Sequence, residues 1–211
     1  MSGLRPRPVG AVLAGGRGQR IGGDKAIVSL AGRPLLSYPV RAMLGALDHV
    51  VVVAKPSTAL PALADVAVWH EPEHPSHPLV GIAEALRRAA GAWVLVCAGD
   101  MPFVPVSLLT SLVSLASQDS LASVERPDGG PEAAPAVVTA SAGGALQPLL
   151  ACYGPACLEP LAAAAREAVA PARAVVEALG PTVVPVTDPR ALFNVNSAED
   201  LREAEALLVS G

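Results

Sequence analysis

The sequence predicts an α/β fold with a mostly parallel central sheet. Short apolar runs of strand length recur along the chain, bounded by Gly, Pro or Asp. Segments with apolar residues at helical spacing lie between them, and the two kinds alternate. No internal repeat is present.

Val9 to Leu13, between Pro8 and Gly15, reads as a buried first strand. A glycine-rich turn follows, then helical spacing from Leu35 to Leu47 and a second strand over His49 to Ala54. Ala59 to Ala64 reads as a short helix and Val66 to Trp69 as a third strand. A Pro- and His-rich loop from Glu71 to Pro78 leads to a helix over Leu79 to Ala90. Ala92 to Ala98 is a fourth strand, and Pro105 to Ala116 a helix. Ser117 to Gly144 is rich in Ser, Ala, Gly and Pro and reads as a loop-containing excursion, with Val137-Val138 as its strand nucleus. Leu146 to Tyr153 is a strand, Pro155 to Arg166 and Ala172 to Leu179 are helices, and Val183 to Val186 is a strand. Ala198 to Leu208 is a terminal helix with Ser197 or Asn196 as its N-cap.

Composition narrows the function. The 211 residues carry a net charge of −4, with 16% charged and 52% apolar residues. That chain builds a full core and has no broad basic surface for nucleic acid or an anionic membrane. Aromatics are 3%, so stacking on bases is not a general theme. The run from Val9 to Ala14 is too short for a signal-peptide core. The uncharged stretch from Ala133 to Leu158 is broken by prolines and glycines, so no membrane span is expected. Cys97, Cys152 and Cys157 lack CxxC spacing and read as buried free thiols of a cytoplasmic protein. Of the 15 basic residues only Lys25 and Lys55 are lysines.

In open α/β sheets, ligands bind beyond the carboxyl ends of the strands. The residues after Leu13, Trp69, Ala98 and Val186 are therefore the candidates. After Leu13 come five glycines between Gly15 and Lys25, together with Arg17, Arg20 and Lys25. Glycine amides approach an anion without a Cβ clash, and the cations add charge, so this loop reads as a polyphosphate cradle. It is not a P-loop, because Asp24 precedes Lys25 and Ala26 has no hydroxyl for magnesium. It is not a dinucleotide fingerprint either, since Ile21 stands where the third glycine belongs and no acid ends the second strand. After the fourth strand stands Asp100, a hard oxygen ligand suited to Mg²⁺. His70-Glu71-Pro72-Glu73-His74 matches HExxH, but Pro72 denies it the helix that a zinc site needs. Glu71 reads instead as a crevice residue. Lys55 ends the second strand with no motif around it and is given no site role.

The turn Leu13-Ala14-Gly15-Gly16, followed by Arg20 and Lys25, resembles that of the nucleotidyltransferases that activate sugars and cofactors with an NTP. Their metal-binding aspartate corresponds to Asp100. Three further strings resemble bacterial molybdenum cofactor guanylyltransferases: His77-Pro78-Leu79-Val80-Gly81-Ile82, Gln147-Pro148-Leu149-Leu150-Ala151, and the segment from Phe193 to Leu201 that contains Asn194 and Asn196. The likeness runs from about Val9 to Leu208. It differs at His77, where the relatives' string has Gly, at Val53, where some relatives have Asn, and at Gln147, where they often have His.

The resemblance implies a Rossmann-like three-layer sandwich of the nucleotide-diphospho-sugar transferase type, as one domain over 1–211. The part from about 9 to 116 would bind nucleotide and metal, and the part from about 133 to 208 the acceptor. The implied reaction transfers GMP from GTP to the terminal phosphate of molybdopterin, with Mg²⁺ and release of pyrophosphate. Lys25, Asp100 and Arg20 are the implied catalytic residues. Leu13, Ala14, Gly15, Gly16, Lys25, Glu71, Gly81 and Asp100 would bind the nucleotide, and Gln147, Asn194 and Asn196 the acceptor. Proteins that deliver molybdopterin or mature molybdoenzymes are the implied transient partners. Cytidylyl transfer to the same pterin, guanylyl transfer to adenosylcobinamide phosphate or phospholactate, and a non-catalytic nucleotide-binding module remain alternatives.

Overall fold

A computed structural model of the chain describes residues 6–15, 17–18, 23–64, 66–122, 136–167 and 170–209. Its centre is a seven-stranded sheet. The strands are β1 (Val9–Leu13), β2 (Val50–Ala54), β3 (Ala67–His70), β4 (Val94–Ala98), β5 (Val137–Ala142), β6 (Ala145–Tyr153) and β7 (Thr182–Pro185). Their spatial order is β7-β5-β6-β4-β1-β2-β3. β1 pairs in parallel with β2 and β4, β2 with β3, and β5 with β7. Only β6 is antiparallel to its neighbours β4 and β5. The α/β architecture with a mostly parallel sheet is thus as the sequence predicts.

Strand alternation builds a core on each face of the sheet. Val9, Ala11, Val51, Val53, Val94 and Val96 face one core, where α2 (Pro78–Arg88), α4 (Leu158–Glu167) and α5 (Ala172–Ala178) pack. Val12, Val50, Val52, Leu95 and Cys97 face the other, covered by α1 (Ser37–Ala46) and α3 (Val106–Ala122). α2 shows why a helix forms here. Its apolar residues Leu79, Ile82, Ala85 and Leu86 are buried, and the His77 ring accepts the Leu79 amide at its N-terminus. Burying each large aliphatic side chain contributes roughly 1.5–3 kcal/mol. α6 (Ala198–Val209) instead packs Ala204 against Leu30, Leu35 and Val195, in a smaller cluster beside the sheet.

Three local expectations change. Residues 59–63 form no helix. Pro61 sits inside that segment, and six residues are too few to nucleate a helix around it. α3 does not stop at Ala116 but runs to Ala122, because its polar continuation, Ser117 onward, is helical without being apolar. The Ser117 hydroxyl bonds back to the Val113 carbonyl. The excursion also holds a full strand, β5, nucleated at Val137-Val138. The three cysteines are free and buried, as expected. Burial pushes the Cys157 thiol up to about 11 and raises Cys97 and Cys152 as well, so none is a ready nucleophile.

Candidate active site

The chain runs outward from β1 to β2 and β3, then crosses back to place β4 on the other side of β1. That reversal leaves a crevice at the carboxyl ends of β1 and β4. A cleft of about 640 Å³ opens there, lined by Leu13, Ala14 and Gly15, by Lys25, and by Gly99 and Asp100. The volume is in the range of small-molecule sites. The two strand ends are tied, because the Gly99 amide donates to the Leu13 carbonyl at 2.9 Å. A Cβ at Gly99 would lie 2.9 Å from that same oxygen, so only glycine permits the approach.

Lys25 begins a short 3₁₀ turn, Lys25–Ile27, anchored by buried Ala26. From it the ammonium reaches Asp100 Oδ2 at 2.9 Å and Asn196 Oδ1 at 2.5 Å. Residues 75 and 171 positions away in sequence thus meet on one nitrogen. The Val195 amide donates to the Asp100 carbonyl at 2.9 Å, which pins the C-terminal segment onto the end of β4. A capping box then orients Asn196. The Ser197 hydroxyl accepts the Asp200 amide, and Asp200 Oδ2 accepts the amides of Asn196 and Ser197. Those bonds, the Asn196 amide first, hold the Asp200 carboxyl below the usual aspartate range. Ser197 is therefore the N-cap.

Two oxygens, from Asp100 and Asn196, converge on a single cationic atom. This hard-oxygen pair fits a divalent cation that takes one or two protein ligands and completes its shell with phosphate. Between residues 70 and 78 the chain is loop, so His70 and His74 share no helical face.

The other wall follows β2 and β3. Glu71, 8% exposed, lies between Gly15 and Gly81. A Cβ at Gly15 would stand 2.9 Å from Glu71 Oε1, and one at Gly81 2.7 Å from Oε2. Burial raises the Glu71 carboxyl above the usual glutamate range, and the Lys55 charge opposes that rise. Lys55 itself lines the cleft and donates to the Glu73 carbonyl at 2.6 Å. The Glu73 carboxylate accepts the Ser57 amide at 3.0 Å and its hydroxyl at 2.9 Å, which holds that carboxyl low.

The sequence-derived residues sort as follows. Leu13, Ala14, Gly15, Lys25, Glu71 and Asp100 line the cleft. Asn196 reaches it through Lys25. Gly81 lies behind Glu71 rather than on the wall. Asn194 donates to the Leu192 carbonyl, and its own carbonyl faces Asn196 Nδ2 at 3.5 Å. Gln147, in β6, pairs with Ala140 of β5, two residues before the cleft-lining Leu149. Because β6 is antiparallel, its start lies at the cleft end of the sheet. Gly16 and Arg20 lie outside the described residues. Two expectations need correction. Lys55, given no site role, stands in the cleft wall beside Glu73. The end of β7 does not line the cleft, because β7 is the far edge strand of the sheet.

A β3-β2-β1-β4 order with a glycine turn, a lysine and an aspartate at its switch is that of a doubly wound α/β protein of the nucleotide-binding class. Residues 10–183 match the family model described as the MobA-like NTP transferase domain, and the chain belongs to that family. A protein of Cereibacter sphaeroides named molybdenum cofactor guanylyltransferase is 34% identical over 206 residues, covering 96% of this chain and 97% of its own length. One of the same name from Pseudomonas putida is 38% identical over 120 residues, 56% of this chain and 63% of that protein. The fold is similar to the crystal structure of molybdopterin-guanine dinucleotide biosynthesis protein A from Archaeoglobus fulgidus. There the TM-score is 0.74 at 23% identity, over 96% of this chain and 100% of that one.

Proposed function

We propose that this chain transfers the GMP moiety of GTP to the terminal phosphate of molybdopterin and releases pyrophosphate. The observation that carries this reading is the convergence of Lys25, Asp100 and Asn196 at the switch point of a MobA-like transferase. The name of the full-length relative supports the choice of base and acceptor.

An oxygen of the acceptor phosphate attacks the α-phosphorus of GTP. A new P–O bond forms as the bond from the α-phosphorus to the bridging oxygen of the β-phosphate breaks. The acceptor brings its own nucleophile, so positioning and charge neutralisation are the protein's tasks. The Gly15 turn and Lys25 face the phosphates, with Arg20 in the same loop. Lys25 has three N–H donors, two of them engaged by Asp100 and Asn196 among the described residues, and the ammonium would turn toward a phosphate oxygen when nucleotide binds. Asp100 and Asn196 would hold Mg²⁺, which when bound supplies further charge neutralisation on the triphosphate. Glu71 faces the base, and Gln147 and Asn194 lie toward the acceptor. The part from about 9 to 116 thereby serves the nucleotide and the part from about 133 to 208 the acceptor, within one domain. A cytoplasmic setting and transient contact with proteins that deliver molybdopterin or mature molybdoenzymes belong to the same reading. No helix among the described residues is long and apolar enough to cross a membrane.

The test is pyrophosphate release from GTP, CTP or ATP with Mg²⁺, with molybdopterin, adenosylcobinamide phosphate or phospholactate as acceptor. Release with GTP and molybdopterin alone is the expected result. Release with a different pair replaces this reading.

A further inference from the structure

The cleft is lined by four strand exits in the order β4, β1, β2 and β3. Neighbouring strands are about 4.8 Å apart, so β3 ends about 14 Å from β4. That length suits a nucleotide lying across the exits. Its phosphates would meet Lys25 and Asp100 after β1 and β4, and its base would meet the residues after β2 and β3. Those residues are Lys55 and Glu71, an ammonium and a carboxylate on one wall.

Lys55 is not a free surface cation. Its ammonium is tied to the Glu73 carbonyl at 2.6 Å, and Glu73 is clamped in turn by Ser57. One of its three N–H donors is thereby used, and the ammonium has no second partner among the described residues. Glu71 is equally placed, held between two glycines. The edge of guanine offers an O6 acceptor beside N1–H and 2-amino donors. The ammonium matches the first and the carboxylate the other two. Adenine and cytosine instead present an amino donor toward the ammonium, where a donor meets a donor.

We propose that Lys55 is a base-selectivity residue that donates a hydrogen bond to O6 of the guanine, while Glu71 takes the donor side of the ring. The assignment rests on the reading of the cleft as a GTP site. It adds a residue carried by this chain's β2 exit, where Val53 is buried and reads nothing.

The experiment compares dissociation constants for GTP, 6-thio-GTP, CTP and ATP in wild type, Lys55→Met and Lys55→Arg. Sulfur is a weak acceptor but leaves N1–H and the 2-amino group in place. Wild type is expected to bind 6-thio-GTP about tenfold more weakly than GTP. Lys55→Met is expected to weaken GTP by a similar factor and to bind both nucleotides equally. Lys55→Arg, which keeps donors and charge, should restore part of the preference for oxygen over sulfur. A clamp that merely holds the loop would lower affinity for all nucleotides together. If Lys55→Met keeps the wild-type GTP preference over 6-thio-GTP, the Lys55 assignment is overturned while the GTP site stands. If wild type shows no preference for GTP over CTP and ATP, the guanine reading falls and this assignment falls with it.

Discussion

The two lysines of this chain stand in one cleft, and the two ends they mark are built differently. At the β4 end, Lys25 pairs directly with Asp100 and Asn196, drawing together the glycine loop, the central sheet and the C-terminal segment. At the β2–β3 end, Lys55 pairs with a backbone carbonyl, and its neighbour Glu71 is held by packing against two glycines. One end is a charge-compensated cluster with side-chain partners that can be exchanged for ligand. The other is a rigid wall whose polar groups face inward with bonding capacity left over. The first suits phosphate and metal, which need charge, and the second suits a heterocycle, which needs direction.

The largest expected effect is at the charged end. Asp100→Asn removes the carboxylate there, and GMP transfer should fall by roughly a hundredfold or more in a pyrophosphate-release assay. A variant that turns over like wild type would break the contrast. Lys25→Met should slow transfer by about tenfold or more. Without nucleotide it should also bind Mn²⁺ more tightly than wild type, because the competing ammonium is gone. Electron paramagnetic resonance of free Mn²⁺ reads that change, and an unchanged Mn²⁺ affinity would mean that Lys25 does not occupy the cation position.

The wall end should respond more in selectivity than in rate. Gly81→Ala sets a methyl 2.7 Å from Glu71 Oε2 and must push the carboxylate toward the cleft. The expected result is a reduced ratio of GTP to ATP affinity with the fold retained, read by nucleotide titration and thermal melting.

The smallest effects are on stability, and two carboxylates should behave oppositely. Burial raises the Glu71 carboxyl, so its contribution is full below the ordinary glutamate range and declines as pH rises through its raised value. Glu71→Gln should remove that decline in the nucleotide-free protein. Asp200 is held low by the amides it accepts, so its contribution is present above the ordinary aspartate range and lost as pH falls. Asp200→Asn should lower Tm by about 2–4 °C near neutral pH, as for a cap worth about 1 kcal/mol, with the difference closing in acid.

Much of this was legible locally. β1, β2 and β4 show in the sequence because continuous apolar runs report burial on both faces, and the more exposed edge strands β3 and β7 show as shorter apolar runs. The glycine turn and Asp100 show because strand exits are where ligands bind. The segment 59–64 misled, since helical spacing there is interrupted by Pro61. The tail of α3 was hidden, since its polar residues carry no period. Lys55 is not legible as a site residue, because no motif surrounds it in sequence. Its partner, the Glu73 carbonyl, lies on the loop after β3.

The sequence by itself determined the fold class, the glycine turn after β1 and the aspartate after β4. Each depends on residues within a few positions of one another, where chain geometry is nearly fixed. Only the tertiary structure decided that Asn196 meets Lys25, that Gly15 and Gly81 bracket Glu71, and that Lys55 belongs to the cleft. These pairings depend on strand order, and the crossover that places β4 beside β1 is a property of the whole sheet.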